Sequence, residues 1–307
     1  MSELLSVIIP SYNEEKMIPK TAKTISEILD KENIPFELVF VDDGSSDRTW
    51  ESICTEAEKD ERIRGISFSR NFGKDPAIFA GLGDARGDCA AVIDCDLQHP
   101  PEKLVDMYRL WQEGYEVVEG VKQSRGKEPL LHSLCAKCFY SLMAGASEID
   151  MRRASDYKLL GRNAINAILA FKEKEAFFRV LSYWIGFKRT QVPFEVKERT
   201  EGRSKWSVKS LFKYAVRNVT SFSKAPLKAA WYLGLVSLLC AIFGLILSLG
   251  FGVDARLFFS AASLVSLALT MMCISVLGYY VYKIYLESAD RPKFIIAKYC
   301  GKRNVKK

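Results

Sequence analysis

Two long apolar runs near the carboxyl terminus constrain this chain more than any other feature of its sequence. Residues 229–253 and 257–282 contain no charged side chain. Each run exceeds the roughly 20 residues that an α-helix needs to cross about 30 Å of hydrocarbon. Only Asp254, Ala255 and Arg256 separate the two runs. We therefore predict a two-helix transmembrane hairpin, preceded by a head that lies outside the bilayer.

Basic residues flank both outer ends of the predicted hairpin. They are Lys213, Arg217, Lys224 and Lys228 before it, and Lys283, Arg291, Lys293, Lys298, Lys302, Arg303, Lys306 and Lys307 after it. Because basic residues accumulate on the cytoplasmic side, and MSELLSVIIPSYNEE lacks a signal-peptide pattern, we expect a multi-pass cell-membrane protein with a cytoplasmic head and cytoplasmic termini. The net charge of +7 is accordingly attributed to contacts with membrane lipids, and not to nucleic acid.

The first 120 residues alternate between β-branched apolar runs and segments with helical spacing. Buried strands are predicted at 4–10, 36–43, 65–69, 89–94 and 115–120, and helices at 14–31, 46–58, 75–86 and 101–113. This alternation predicts a Rossmann-like α/β head, with a mostly parallel sheet covered by helices on both faces. In such sheets, ligands bind at the carboxyl ends of the strands.

Asp94 and Asp96 lie at the end of one predicted strand, in the stretch VIDCDLQHPPE. Two carboxylates only two residues apart repel each other, and their negative charge must be compensated by a metal ion, an arginine cluster or solvent. The first turn, PSYNEE, has no glycine, and no stretch matches GxxxxGK[ST], so a dinucleotide fold and a P-loop are both disfavoured. Carboxylate oxygens select hard cations such as Mg²⁺ or Mn²⁺. We therefore predict that Asp94 and Asp96 bind a metal that bridges to a diphosphate.

Four motifs, in this order, carry a resemblance to a known family: SVIIPSYNEE, VFVDDGSSDRTW, SFSRNFGKDPAIFAGL and VIDCDLQHPPE. They resemble the inverting family 2 glycosyltransferases of GT-A type, and within them the dolichyl-phosphate mannose synthase and bacterial polyprenyl-phosphate glycosyltransferase branch. The resemblance implies that the nucleotide base and ribose are held by Pro10, Tyr12, Glu14, Val41 and Asp43. It also implies that the diphosphate and its metal are held by Asp94, Asp96 and Gln98.

The second half of the head carries three further motifs that resemble this branch. GVKQSR has Lys122 and Arg125 where the branch usually shows two arginines, and lysine lacks the bidentate fork of arginine. RRASDYKLLGR resembles a segment that places Asp156 near the reacting phosphate. Residues 199–205 match R-x-x-G-x-S-K, a loop that folds over the donor pyrophosphate. The resemblance thus implies donor contacts from Lys122, Arg125, Arg199 and Lys205, and catalytic roles for Asp96, Asp156 and Arg199.

Residues 205–224 join the head to the predicted hairpin. Apolar residues recur at helical spacing there, and Lys205, Lys209, Lys213 and Arg217 follow the other side. This pattern predicts an amphipathic helix that lies on an anionic bilayer. The predicted organisation is a head (1–203), a juxtamembrane region (204–228), a transmembrane hairpin (229–284) and a basic tail (285–307).

The resemblance implies transfer of a sugar from a nucleotide-sugar to a polyprenyl phosphate, with inversion, at the cytoplasmic face. UDP-glucose and undecaprenyl phosphate are favoured, while UDP-GlcNAc, GDP-mannose and aminoarabinose donors stay open, as does a homo-oligomer. A processive polysaccharide synthase is disfavoured because the chain has no QxxRW motif and two helices cannot enclose a polymer channel. An inactive membrane scaffold is disfavoured by the acids at the strand ends.

Overall fold

The computed structural model describes residues 3–122, 155–173, 177–195, 225–251 and 255–302. The described residues belong to two compact units, which are treated separately below. The first unit holds the residues up to 195 and returns at residues 292–302. The second unit holds the described residues between 225 and 291.

The first unit is an α/β head built on one eight-stranded sheet. Its strands are β1 (Leu5–Ser11), β2 (Phe36–Asp42), β3 (Ile63–Phe68), β4 (Cys89–Val92), β5 (Val117–Lys122), β6 (Lys158–Gly161), β7 (Arg189–Phe194) and β8 (Ile296–Cys300). The helices described in this unit are α1 (Met17–Lys31), α2 (Thr49–Lys59), α3 (Lys74–Asp84), α4 (Lys103–Gln112), α5 (Arg162–Leu169) and α6 (Phe178–Trp184). The sequence-based prediction of an α/β head is confirmed.

The sheet has the strand order β7-β5-β6-β4-β1-β2-β3-β8 and is mixed. Strands β4, β1, β2 and β3 run parallel to one another, whereas β6 runs antiparallel to both of its neighbours, β4 and β5. The central strands read as continuous apolar runs because helices cover both faces of the sheet, which is typical of parallel sheets. Strand β4 ends at Val92, two residues before the predicted end, so Asp94 lies in the loop that follows.

Part of the segment that was predicted as a basic tail (285–307) is a strand of the sheet. Residues 296–300 form β8, which pairs antiparallel with β3 at the edge of the sheet. Phe294 stacks on Phe68 with ring centroids 5.0 Å apart, which packs the start of this segment against the core. The sequence analysis missed the strand because Lys298 and Tyr299, exposed at the edge, interrupt its short apolar pattern.

The described residues of the second unit form two long helices that contact each other. Helix α7 (Ala225–Phe251) has 27 residues and α8 (Ala255–Ser288) has 34 residues. Cys273 of α8 lies 3.7 Å from the carbonyl oxygen of Ala230 in α7. Among the described residues, one stretch, Ser263–Ser288, is long and apolar enough to cross a membrane, and α7 contributes a shorter apolar stretch, Ala230–Gly244. The predicted juxtamembrane helix at 205–224 lies outside the described residues.

A buried ion pair joins β5 and β6 in the head. Glu119 and Lys158 are partners in the strand register, with Nζ and Oε1 2.8 Å apart and the lysine side chain fully buried. Tyr183 donates its hydroxyl hydrogen to the second carboxylate oxygen of Glu119, and the Lys158 ammonium lies 4.4 Å from the Tyr183 ring centroid. A register slip of one residue would separate these charges inside the core, so the pair fixes the register of β6.

We expect Lys158→Met to destabilise the head by about 3–5 kcal/mol, because Glu119 would remain as a buried charge without its partner. The double variant Lys158→Met/Glu119→Gln removes both charges and should recover part of the loss. Denaturant unfolding of the purified full chain in detergent measures both effects. Lys103→Met, which breaks a surface pair with Asp106, is the control and should change the stability by less than about 1 kcal/mol. Equal effects of Lys158→Met and Lys103→Met would contradict the assignment.

Candidate active site

The loops that follow β1 and β2 are hydrogen-bonded to each other. The backbone N–H of Asn13 donates to Ser45 Oγ at 2.9 Å, and the backbone N–H of Glu14 donates to Thr49 Oγ1 at 2.8 Å. In return, Asn13 Oδ1 accepts the backbone N–H of Ser46 at 2.9 Å. Because β1 and β2 are parallel neighbours, both loops lie at the carboxyl edge of the sheet, where this fold class binds ligands.

Asp43 ties the loop after β2 to the loop after β3. Its carboxylate accepts the backbone N–H groups of Phe72 and Gly73 at 2.7 and 2.9 Å. Gly44 has a φ of +63°, and a Cβ at this position would lie 2.3 Å from the carbonyl carbon of Arg70. Only glycine therefore allows the two loops to approach this closely. Burial raises the pKa of Asp43 from 3.8 to about 6.

Asp94 and Asp96 lie on the loop after β4, at the same edge of the sheet. Asp96 Oδ1 accepts the backbone N–H of Gln98 at 3.1 Å. The buried His99 ring stacks on Tyr157, with centroids 5.1 Å apart, and its Nδ1 lies 3.7 Å from Asp94 Oδ2. Burial lowers the pKa of His99, which favours the neutral imidazole. Within the described residues, this Nδ1 has no hydrogen-bond partner.

Asp156 lies at the same edge of the sheet, although it precedes strand β6 whereas Asp94 follows strand β4. Because β6 runs antiparallel to β4, with Lys158 opposite Val92, the residues just before β6 lie beside the loop after β4. Arg179 Nε and Nη2 donate to the two oxygens of Asp156 at 3.1 and 3.0 Å. Burial alone would raise the pKa of Asp156, but Arg179 and Lys74 outweigh it and hold the pKa far below its usual range.

Lys74 links the two acidic positions. Its ammonium lies 2.5 Å from Asp94 Oδ1 and 3.0 Å from Asp156 Oδ2. Burial opposes the charge of Lys74, yet the two carboxylates outweigh burial and raise its pKa. Lys74 is the first residue of α3, where the helix dipole disfavours a cation. The two ion pairs compensate this unfavourable position.

The other predicted site residues fall into three groups. Pro10 and Tyr12 are partly exposed at the end of β1 and just after it, whereas the side chain of Val41 is fully buried, which leaves its backbone for any contact. Lys122 is exposed at the end of β5 and lies close enough to His99 to lower the pKa of this histidine. Arg125, Arg199 and Lys205 lie outside the described residues, so their predicted roles stay predictions.

The sequence analysis did not assign three residues that the structure brings to this site. Lys74 is part of the motif SFSRNFGKDPAIFAGL. Its position at the start of a helix could have indicated a functional role, because a cation there is unfavourable. His99 stood within VIDCDLQHPPE, next to the predicted metal ligands. Arg179 carries no signal in the sequence, since only the fold brings α6 to the start of β6.

The carboxylates of Asp94 and Asp96 have the chemistry that a hard divalent cation requires. No set of three or more histidine, cysteine or acidic side chains converges on one point in the described parts of the chain. This number of protein ligands fits Mg²⁺ or Mn²⁺ bound with a phosphorylated substrate, because such ions keep several waters and take one or two carboxylates. The residues present therefore fit the predicted metal.

The parallel core, the acids at its carboxyl edge and the antiparallel β6 define a GT-A head, the fold of nucleotide-sugar transferases. The family model for glycosyl transferase family 2 matches residues 6–152. The chain is 36% identical over 306 residues to the uncharacterized glycosyltransferase YkcC of Bacillus subtilis, covering 97% of this chain and 95% of that protein. It is 35% identical over 301 residues to the bactoprenol glucosyl transferase of Shigella phage SfV, covering 95% of this chain and 97% of that protein. The chain belongs to glycosyl transferase family 2 and is a glycosyltransferase.

A solved structure supports the fold assignment. The head is similar to glucosyl-3-phosphoglycerate synthase from Mycobacterium tuberculosis, crystallised with Mn²⁺, uridine diphosphate and phosphoglyceric acid, with a TM-score of 0.52. The match covers 71% of this chain and 76% of that chain at 20% sequence identity. At this identity the likeness shows a shared fold.

The raised pKa of Asp43 predicts how this residue affects stability with pH. Folding favours the protonated carboxyl of Asp43. Its contribution to the free energy of unfolding is therefore fully present below about pH 4 and is lost as the pH rises through about 6. Asp43→Asn keeps an oxygen acceptor for Phe72 and Gly73 but does not titrate. We therefore expect the Tm of Asp43→Asn, relative to the unmodified chain, to rise between about pH 4.5 and pH 7. Asp106→Asn, on the surface, is the control, and a pH-independent difference for Asp43→Asn would contradict the prediction.

Proposed function

We propose that the chain transfers glucose from UDP-glucose to a polyprenyl phosphate, with inversion, at the cytoplasmic face of the cell membrane. Undecaprenyl phosphate is the favoured acceptor. The observation that carries the proposal is the position of Asp94 and Asp96 after β4 and of Asp156 before β6, all at one edge of a GT-A head, where Lys74 contacts both Asp94 and Asp156. The same chain also has an apolar helix long enough to cross a bilayer. The bactoprenol glucosyl transferase of phage SfV, aligned over almost its whole length, supports glucose as the sugar and a polyprenyl phosphate as the acceptor.

The loops after β1 and β2 are suited to hold the nucleotide. Tyr12 is partly exposed beside the hydrogen-bonded pair of loops, and Asp43 is fixed by two backbone N–H groups. A base and ribose held by Pro10, Tyr12, Glu14 and Asp43 would place the diphosphate toward Asp94, Asp96 and Gln98. Arg199 and Lys205 are proposed to neutralise the leaving diphosphate.

Asp94 and Asp96 would hold Mg²⁺ or Mn²⁺ at the diphosphate. When bound, such a cation stabilises the negative charge that develops on the leaving nucleoside diphosphate. The carboxylate of Asp96 is oriented by the backbone N–H of Gln98, which limits its freedom before any cation arrives. Pre-oriented ligands reduce the entropy that binding must overcome.

Asp156 is proposed to orient the reactants and not to remove a proton. A phosphate monoester has its second pKa near roughly 6 and is already largely anionic at pH 7, so a strong base is not required. Arg179 and Lys74 hold the pKa of Asp156 far below its usual range, which makes its carboxylate a weak base. A fixed negative charge can still position the surrounding cations around the reacting phosphate.

The two helices of the second unit are proposed to form a transmembrane hairpin. Large apolar side chains on both helices are exposed, among them Trp231 and Phe243 on α7 and Leu264 and Ile284 on α8. Exposed apolar surface of this extent is typical of contact with lipid. An acceptor whose tail lies in the bilayer would present its phosphate at the surface, where the head works.

The proposed reaction is tested with purified full-length chain in detergent. It is incubated with undecaprenyl phosphate and, separately, with UDP-glucose, UDP-GlcNAc, GDP-mannose and a UDP-aminoarabinose donor. Glucosyl lipid from UDP-glucose is the expected product, and its anomeric configuration, read by NMR, should be inverted. Product from another donor, and not from UDP-glucose, would show that the transferred sugar is not glucose. The absence of lipid product with every donor would contradict the proposed acceptor.

We expect Asp96→Asn to lower the transfer rate by about 10²-fold or more, because it removes a charged ligand from the cation at the diphosphate. Asp106→Asn, which alters a surface carboxylate on α4, is the matched control and should leave the rate unchanged. Chelation of divalent ions by excess EDTA should abolish transfer by the unmodified chain. Full activity of Asp96→Asn, or full activity in EDTA, would contradict the metal assignment.

The proposed topology places both termini in the cytoplasm and the residues around 254–256 on the other side. We expect a membrane-impermeant thiol reagent to label Asp254→Cys in intact cells but not Val305→Cys. The native chain has eight cysteines, so labelling is measured relative to the unmodified chain. Labelling of Val305→Cys from outside would refute the topology.

A further inference from the structure

Lys74 belongs to a group of four ion-paired side chains. Asp94 and Asp156 contribute two negative charges, while Lys74 and Arg179 contribute two positive charges within hydrogen-bond distance. Lys74 contacts both carboxylates, and Arg179 contacts Asp156 through two nitrogens. One carboxylate that the proposed function assigns to a divalent cation is therefore already paired with a cation of the chain itself.

The Lys74 ammonium and a divalent cation cannot use Asp94 independently. The Nζ atom lies 2.5 Å from Asp94 Oδ1, and a Mg²⁺ or Mn²⁺ ligated by the same carboxylate would lie about 2.1 Å from an oxygen. Two cations this close repel each other strongly in a partly buried site. Either the ammonium moves away from Asp94 or additional negative charge must enter with the metal.

We propose that Lys74 is a built-in competitor for the divalent cation, which makes tight metal binding depend on the diphosphate of the donor. A nucleoside diphosphate supplies the negative charge that allows Lys74 and the metal to be present together. Without it, the ammonium of Lys74 keeps Asp94 neutralised and metal binding stays weak. This inference rests on the proposed metal site at Asp94 and Asp96 and adds an order to it: the metal binds tightly only together with the nucleotide.

The position of Lys74 supports a role beyond local stability. A cation at the first residue of a helix is unfavourable, and its side chain is 41% exposed, so removing it opens no cavity in the core. An acidic or neutral residue would suit the helix start better. Lys74 instead forms ion pairs with Asp94 after β4 and with Asp156 before β6, and these two segments are distant in the sequence.

The test measures Mn²⁺ binding by electron paramagnetic resonance, using the full chain in detergent with and without UDP. We expect Lys74→Met to bind Mn²⁺ alone at least about 10-fold more tightly than the unmodified chain, because the competing charge is gone. UDP should tighten Mn²⁺ binding by about 10-fold or more in the unmodified chain and by clearly less in Lys74→Met. Lys74→Arg keeps the charge and should behave like the unmodified chain.

Two controls separate this inference from the function on which it rests. Lys103→Met removes a lysine of similar exposure, at 36%, from a surface ion pair and should not change Mn²⁺ binding. Asp96→Asn should abolish the binding, and if it does not, the proposed metal site itself is wrong. If Asp96→Asn abolishes binding while Lys74→Met binds Mn²⁺ no more tightly than the unmodified chain, the metal site stands and the role of Lys74 is refuted. Circular dichroism of each variant confirms that it is folded.

Discussion

The active edge of the head depends on the antiparallel insertion of β6 between β4 and β5. In an all-parallel sheet, the residues before a strand lie at the edge opposite to the ligand site. Reversing β6 instead brings Asp156 beside Asp94, and the buried pair of Lys158 and Glu119 fixes the register that makes this possible. The chemistry of the site is thus linked to an interaction in the core.

The same arrangement explains why the acids can be ionised although they are poorly solvated. Burial opposes charge on Asp94 and Asp156, and Lys74 and Arg179 offset that effect. Asp43 shows the contrast, since it is held by backbone N–H groups, which only partly offset its burial, and its pKa rises to about 6. The pKa values of Asp94 and Asp156 therefore differ from that of Asp43, because Asp94 and Asp156 pair directly with cationic side chains whereas the carboxylate of Asp43 is held by backbone N–H groups.

Much of the fold and part of the site could be predicted from the sequence. The central strands are long apolar runs, and the acids that follow them are local in the sequence, so Asp94 and Asp96 could be predicted from the pattern of residues, whereas Asp43 was predicted from the family resemblance. Strands β6, β7 and β8 are short or partly polar, and their partners are distant, so no local pattern marks them. The contact between Lys74 and Asp156 spans 82 positions, and Arg179 reaches Asp156 only because α6 packs beside β6. Such contacts follow from topology, which periodicity does not encode.

Strand β8 has a consequence for the biosynthesis of the protein. Its residues, 296–300, leave the ribosome only after both long apolar helices have been made. Until then, one side of β3 exposes unpaired backbone N–H and C=O groups, and such an open edge is prone to pair with another chain. The sheet of the nascent head therefore lacks β8 during the time in which the apolar helices are synthesised and inserted or shielded. The last strand acts as a closing step in synthesis, and its arrival removes the site at which two nascent chains could join.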